Sequence, residues 1–231
     1  MTSSAPPRSR REWLAPAGLI ALSLVPMIAG ASRLTQLSTG AAVTAENARF
    51  FDSPLPVIAH IVGSSVYLLL GALQFAPSLR RRRWHRIVGR VLVPAGLVSA
   101  LSGMWMAVAY DLPAHSGLAL MLMRLVLGTV MAAGIVLAFV AILRRDVPTH
   151  SAWMTRAYAI GLGAGTQVFT LAPWVALAGP PDELANTVLM GLGWAINLAV
   201  AEVVIRRRAR RSRRRTRTPQ PRTAPAGTHL S

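Results

Sequence analysis

The chain of 231 residues contains no cysteine, which removes disulfides, thiolate zinc sites, iron–sulfur clusters and haem attachment through C-x-x-C-H. It also contains no lysine, so all 25 basic residues are arginine, against only eight acidic ones and a net charge of +17. Charged residues make up 14%, well below the roughly 25% of soluble domains. No H-E-x-x-H string and no nucleophile-elbow serine are present, so the sequence offers no hydrolytic apparatus. What the chain has is apolar residue: 53% hydrophobic, with a mean hydropathy of +0.45. A core built from 231 residues cannot hide such long runs, so the sequence reads as an integral membrane protein.

About 20 apolar residues cross 30 Å of hydrocarbon. Six segments qualify: Trp13–Ala31, Leu55–Phe75, Ile87–Tyr110, Gly117–Leu143, Ala152–Ala178 and Leu184–Ile205. Prolines punctuate their ends at Pro54, Pro56, Pro77, Pro113 and Pro148, and Gly179-Pro180-Pro181 separates the last two. Placing the N-terminus inside puts 22 of the arginines on the cytoplasmic side, leaving Arg33 and Arg49 outside and Arg124 within a span. The expectation is an all-α bundle of six transmembrane helices with both termini cytoplasmic. Residues 1–12 form a cytoplasmic lead, 13–205 the membrane domain, and 206–231 an Arg-rich tail expected to be disordered and to touch anionic lipid head groups. The tail has no interleaved aromatics, so no nucleic-acid partner is expected. A competing reading takes Arg8–Arg11, the following apolar stretch and Ala29-Gly30-Ala31 as a cleaved signal peptide, leaving five helices. The all-arginine, alanine-rich usage hints at a GC-rich bacterial genome and hence a bacterial inner membrane.

Polar groups inside spans are expensive and need a reason. In the second span His60, Ser64, Tyr67, Gly71 and Gln74 share one stripe. In the third, Gly89, Gly96 and Gly103 follow heptad spacing with His85 one turn before. In the fifth, His150, Met154, Ala157, Gly161 and Ala164 align. Small stripes mean close helix packing, and they also let a flat group lie against backbone. Gly161, Gly163 and Gly165 are no nucleotide fingerprint, because no strand precedes them.

Four histidines alternate in depth: His60 and His115 toward one membrane surface, His85 and His150 toward the other. Such spacing allows a His60/His115 pair and a His85/His150 pair, and two imidazoles are what a low-spin b-type haem requires. The bland reading stands beside it: His85 in Arg83-Trp84-His85-Arg86 is an interfacial anchor, His150 caps a helix, and His115 lies in an exposed loop. Arg124 needs a partner in lipid, either an anion such as a haem propionate or Gln167 and Asn197. Glu202 is expected to pair with Arg156 or Arg90.

The strings His85-Arg86-Ile87-Val88-Gly89-Arg90 and His150-Ser151-Ala152-Trp153-Met154-Thr155-Arg156-Ala157-Tyr158-Ala159, with His60 and Gly71-Ala72-Leu73-Gln74-Phe75, resemble the signatures of a bacterial family of predicted multi-pass membrane proteins, a domain of unknown function. The resemblance covers residues 54–205 and implies a fold and a membrane address. More distantly, six helices with two cross-membrane histidine pairs are similar to the ascorbate-reducible diheme cytochromes b, which implies electron transfer to an acceptor such as ferric iron. This chain departs from them in placing His85, His115 and His150 near the surfaces.

Three functional expectations result. The first is transmembrane electron transfer through two b-type haems, or one, with His60, His115, His85 and His150 as iron ligands, Arg124 on one propionate side and Arg86, Arg90 or Arg156 on the other. A pocket of Ser64, Tyr67, Gln74, Gln167, Asn197 and Glu202 would surround them. The second is a haem-free protein binding or transporting an anionic or amphiphilic ligand. The third is a structural or regulatory membrane subunit acting through its tail.

Overall fold

A computed structural model of the chain describes residues 9–80, 83–113 and 115–217. Its elements are α1 (Ser9–Thr39), α2 (Ala48–Asp52), α3 (Pro54–Leu73), α4 (Pro77–Arg80), α5 (Arg83–Ala109), α6 (Leu118–Leu143), α7 (Val147–Gly161), α8 (Gly163–Ala178) and α9 (Glu183–Arg217). No strand occurs among the described residues. The protein is a multi-pass, all-helical membrane protein. Five helices are long and apolar enough to cross a bilayer, and α7 with α8 makes a sixth crossing when taken as one span.

The helices close into a ring, each packing on the next in the order α1, α3, α5, α6, α7, α9, α8 and back to α1. Tyr67 and Leu68 of α3, Leu92 and Ala100 of α5, Met131 and Ile135 of α6, and Ala157, Tyr158 and Ile160 of α7 fill its centre. Large apolar side chains such as Val62, Leu101, Phe139 and Leu177 cover the outside, as lipid demands. Arginines of α5, α7 and α9 gather at one end, called here the Arg-rich end.

The small-residue stripes serve aromatic rings. A Cβ on Gly96 would stand 2.7 Å from the Tyr67 ring and one on Gly161 would stand 3.2 Å from it, so Tyr67 lies between α5 and α7 backbone. Gly71 gives the same room to Tyr158, whose hydroxyl donates to the Leu68 carbonyl at 2.8 Å. Gly89 meets nothing within 4 Å, so the heptad spacing of the α5 glycines does not mark one continuous contact.

The expected fifth span is not one rod. α7 and α8 meet at 41° about Leu162, between Gly161 and Gly163. Glycine pairs permit such a bend, which frees carbonyls that lipid cannot satisfy. α9 supplies the donors: Trp194 Nε1 to the Ile160 carbonyl at 3.2 Å and Asn197 Nδ2 to that of Ala159 at 3.2 Å. The indole approaches so closely that Gly163 has no room for a Cβ.

Helix ends follow local chemistry. Pro54 and Pro148 sit in first turns, and Asp146 caps α7 by accepting from the Thr149 N–H at 3.1 Å. Hydrogen bonds to Thr149 hold the Asp146 carboxyl below its usual range. α6 ends in a Schellman motif, with Asp146 N–H to Ala141 O at 2.9 Å and Arg145 N–H to Ile142 O at 3.0 Å. Arg145 takes the left-handed position that glycine normally fills, at φ 62°.

The expectation for the tail needs correction in part. Arg206–Arg217 continue α9, because arginine is a good helix former and no proline or glycine intervenes before Pro219. At 35 residues α9 is about 52 Å long, well beyond the bilayer core. Residues 218–231, and 1–8 of the lead, lie outside the described residues.

Candidate functional site

Two cavities occupy opposite ends of the bundle, and each gathers one of the expected histidine pairs. The cavity away from the Arg-rich end has a volume of about 490 Å³ and is lined by His60, His115, Arg49, Arg124, Ser99 and Met131, among others. The cavity at the Arg-rich end, about 250 Å³, is lined by Gln74, His85, His150, Met154, Tyr158 and Arg208, among others. The two share no lining residue.

His60 reaches its cavity because it stands two turns into α3 on the stripe that continues through Ser64 and Tyr67. Its ring packs on Gly103 of α5, and Nδ1 lies 2.9 Å from the Ser99 carbonyl. A carbonyl only accepts, so Nδ1 carries the proton and Nε2 keeps the lone pair. His150 has the same arrangement, with Nδ1 2.9 Å from the Ala138 carbonyl of α6. A histidine that hands one ring N–H to a carbonyl has the tautomer and fixed orientation of a metal ligand. No group of three or more His, Asp or Glu side chains suited to a metal ion is gathered among the described residues.

His115 is exposed in the turn before α6, which begins only at Leu118. Its carbonyl accepts from Asn186 Nδ2 at 2.8 Å, which pins that turn to α9. Arg124 opens on the same cavity from α6 and has no hydrogen bond or ion pair to any described residue. The expected partners are committed elsewhere. Gln167, which lines the cavity, donates to the Met190 carbonyl at 3.2 Å, and Asn197 accepts from Thr166 Oγ1 at 2.7 Å while serving the α7–α8 bend. Both amides are spent on tying α7 and α8 to α9.

Arg49, missed by sequence reasoning, joins Arg124 in the cavity wall from the short α2. The Arg33 and Arg49 guanidiniums both lie over the Phe50 ring, 4.2 and 4.5 Å from its centroid. Partial burial, and after it the charge of Arg33, lower the Arg49 pKa from its ordinary value. Tyr110 closes the same end, donating to the Ser53 carbonyl at 2.6 Å. The cavity lining contains no Asp or Glu. It is a cationic chamber with an apolar back wall of Leu68, Leu127, Met131 and Trp194.

At the Arg-rich end the expected anion partners differ from those present. Arg86 and Arg90 are exposed and line neither cavity, because His85 faces the bundle and their positions face away. Arg156 is bound to Glu202, with Nε 2.5 Å from Oε1 and Nη2 3.2 Å from Oε2. Of the two partners expected for Glu202, the structure selects Arg156. The cation that lines this cavity is Arg208, which donates to Ser151 Oγ at 3.3 Å. Its assignment to a disordered tail concealed it. Tyr67, also on this wall, has a buried hydroxyl with no hydrogen-bond partner among the described residues. Ser64 donates to the Ile61 carbonyl at 3.2 Å and lines the His60 cavity.

Comparison with known proteins gives one assignment. The family described as "Predicted membrane protein (DUF2306)" matches residues 57–205, and the chain belongs to it. No curated protein and no solved structure matches.

Proposed function

We propose that this member of the DUF2306 family is a b-type haem protein of the membrane, with His60 as the iron ligand of a haem in the 490 Å³ cavity. The observation that carries the reading is His60 itself: Nδ1 is committed to the Ser99 carbonyl while the ring lines a chamber holding two arginines, a second histidine and no acid. The donor set fits the group. An imidazole with a free Nε2 ligates iron, Arg124 and Arg49 offer guanidiniums to carboxylates, and Met131, Leu127 and Trp194 give apolar surface to a flat ring. A haem held there supplies a one-electron redox centre, and the protein's part is to ligate, to neutralise charge and to exclude water. His115 is the second ligand in this reading.

The other cavity does not fit the same group as it stands. Its 250 Å³ falls below the roughly 300 Å³ at which ligand pockets begin, so the proposal is confined to the His60 site. The address we propose is a bacterial inner membrane with the Arg-rich end cytoplasmic, following the positive-inside rule, and with α9 arginines against anionic head groups.

The test is a reduced-minus-oxidised spectrum with haem quantitation on protein purified from haem-sufficient cells. Paired bands of a b-type haem that vanish in His60→Ala and persist in His150→Ala are expected; a colourless wild-type preparation overturns the reading. A second reading is favoured by the unpartnered Arg124: a haem-free site for an anionic amphiphile. Stabilisation of a colourless protein by such a ligand, lost in Arg124→Gln, would establish it.

A further inference from the structure

A second opening reaches His60 from the side. A slot of about 330 Å³ lies between α1, α3 and α8, bounded by Met27, Ala29, Ser65, Ala164 and Val168. His60, Ser64, Leu68, Pro26 and Ala164 line both this slot and the larger cavity, so the two adjoin. The stretch Ile61–Leu68 is the middle of the 20-residue α3, which puts the slot at hydrocarbon depth. Ala29 and Ala164 at its edges are exposed on the bundle surface, where lipid lies.

The chemistry of the lining narrows the occupant. The slot wall has no charged residue, in contrast to the arginines of the adjoining cavity, so it suits a neutral head group. Its polar groups are hydroxyls and an imidazole. Ser65 Oγ has no hydrogen-bond partner among the described residues, and so offers a donor to an acceptor arriving from the bilayer. Met27, Ile61, Leu68 and Val168 supply an apolar track for a chain.

We propose that the slot is a docking site for a membrane-dissolved carrier of the quinone class: a neutral, flat head with carbonyl acceptors at Ser65 and an apolar chain running out between α1 and α8. The choice of a redox-active head over another neutral amphiphile rests on the haem reading above; the existence of the site does not.

The experiment uses the full-length protein in lipid nanodiscs with an azido-benzoquinone carrying a decyl chain, photolysed and mapped by peptide mass spectrometry. Labelling is expected in residues 25–30, 61–68 or 164–168, competed by decyl-benzoquinone and not by monoolein. Ala29→Trp, which fills the slot from its exposed edge, should lower labelling roughly tenfold. Leu24→Trp, on an exposed site of α1 outside the slot, should leave it unchanged. Both variants are compared at matched unfolding temperature. Labelling spread over the lipid-facing surface, or competed equally by monoolein, overturns the proposal. Haem content of the same sample separates the two readings: a colourless protein with competed labelling keeps the site and removes the haem, and a haem-loaded protein without labelling does the reverse.

Discussion

Arg156 of α7 and Glu202 of α9 form a two-pronged ion pair across 46 residues of sequence, with the Trp153 ring 5.1 Å from the guanidinium carbon. Both side chains remain about one-third exposed, 28% and 36%, so solvent screens the attraction. Glu202→Gln should therefore cost only about 1 kcal/mol in detergent unfolding, and added salt should shrink the difference. A loss several times larger would mean that the pair is buried in the membrane-embedded protein.

The three α5 glycines are alike in sequence and unlike in surroundings, which makes them a graded test. Gly89→Ala meets open space and should stabilise by about 0.5–1 kcal/mol through helix propensity. Gly96→Ala drives a methyl into Tyr67 and Ile135 and should cost about 1–3 kcal/mol. Gly103→Ala presses on the His60 ring at 3.2 Å, so its effect should be read in the spectrum of any bound haem. Thermal unfolding in one detergent ranks all three, and an equal effect at Gly89 and Gly96 would contradict the packing described.

Tyr67 and Tyr158 have rings 5.9 Å apart but different hydroxyl fates. The Tyr67 hydroxyl is buried without a partner among the described residues, and that of Tyr158 donates to Leu68. Tyr67→Phe should be neutral or slightly stabilising, and Tyr158→Phe should cost about 1 kcal/mol. The reverse order, measured by unfolding temperature, would place an undescribed partner on Tyr67.

Arg145 carries a positive φ at the end of α6. Arg145→Gly removes the Cβ clash of that conformation and should stabilise by about 1 kcal/mol, while Arg145→Val should destabilise. Unfolding midpoints of the two variants against wild type give the answer.

Membrane class and the five or six crossings were legible because hydropathy is a one-dimensional quantity. The depths of the four histidines come from counting residues along spans, and His60 and His115 line one cavity while His85 and His150 line the other. The bend at Leu162 was not legible, since Gly161 and Gly163 permit it but Trp194 and Asn197, some thirty residues on, make it tolerable. Arg208 was misread because a run of arginine looks the same whether it is solvated coil or the last turns of a long helix. Arg49 reached the cavity through a five-residue helix too short to carry a periodicity. Arg86 and Arg90 follow His85 within five residues, yet only the helix phase decides which way they turn.

Between the two chambers stands a layer of closely fitted side chains, with Tyr67 and Leu68 at its middle and no wall held in common. Such a diaphragm is an insulator for anything hydrated. A sodium ion or a hydronium would have to shed its shell to pass, at a cost of many kcal/mol. A bundle organised this way keeps the contents of its two chambers apart, so whatever enters one end reaches only the side chains of that end.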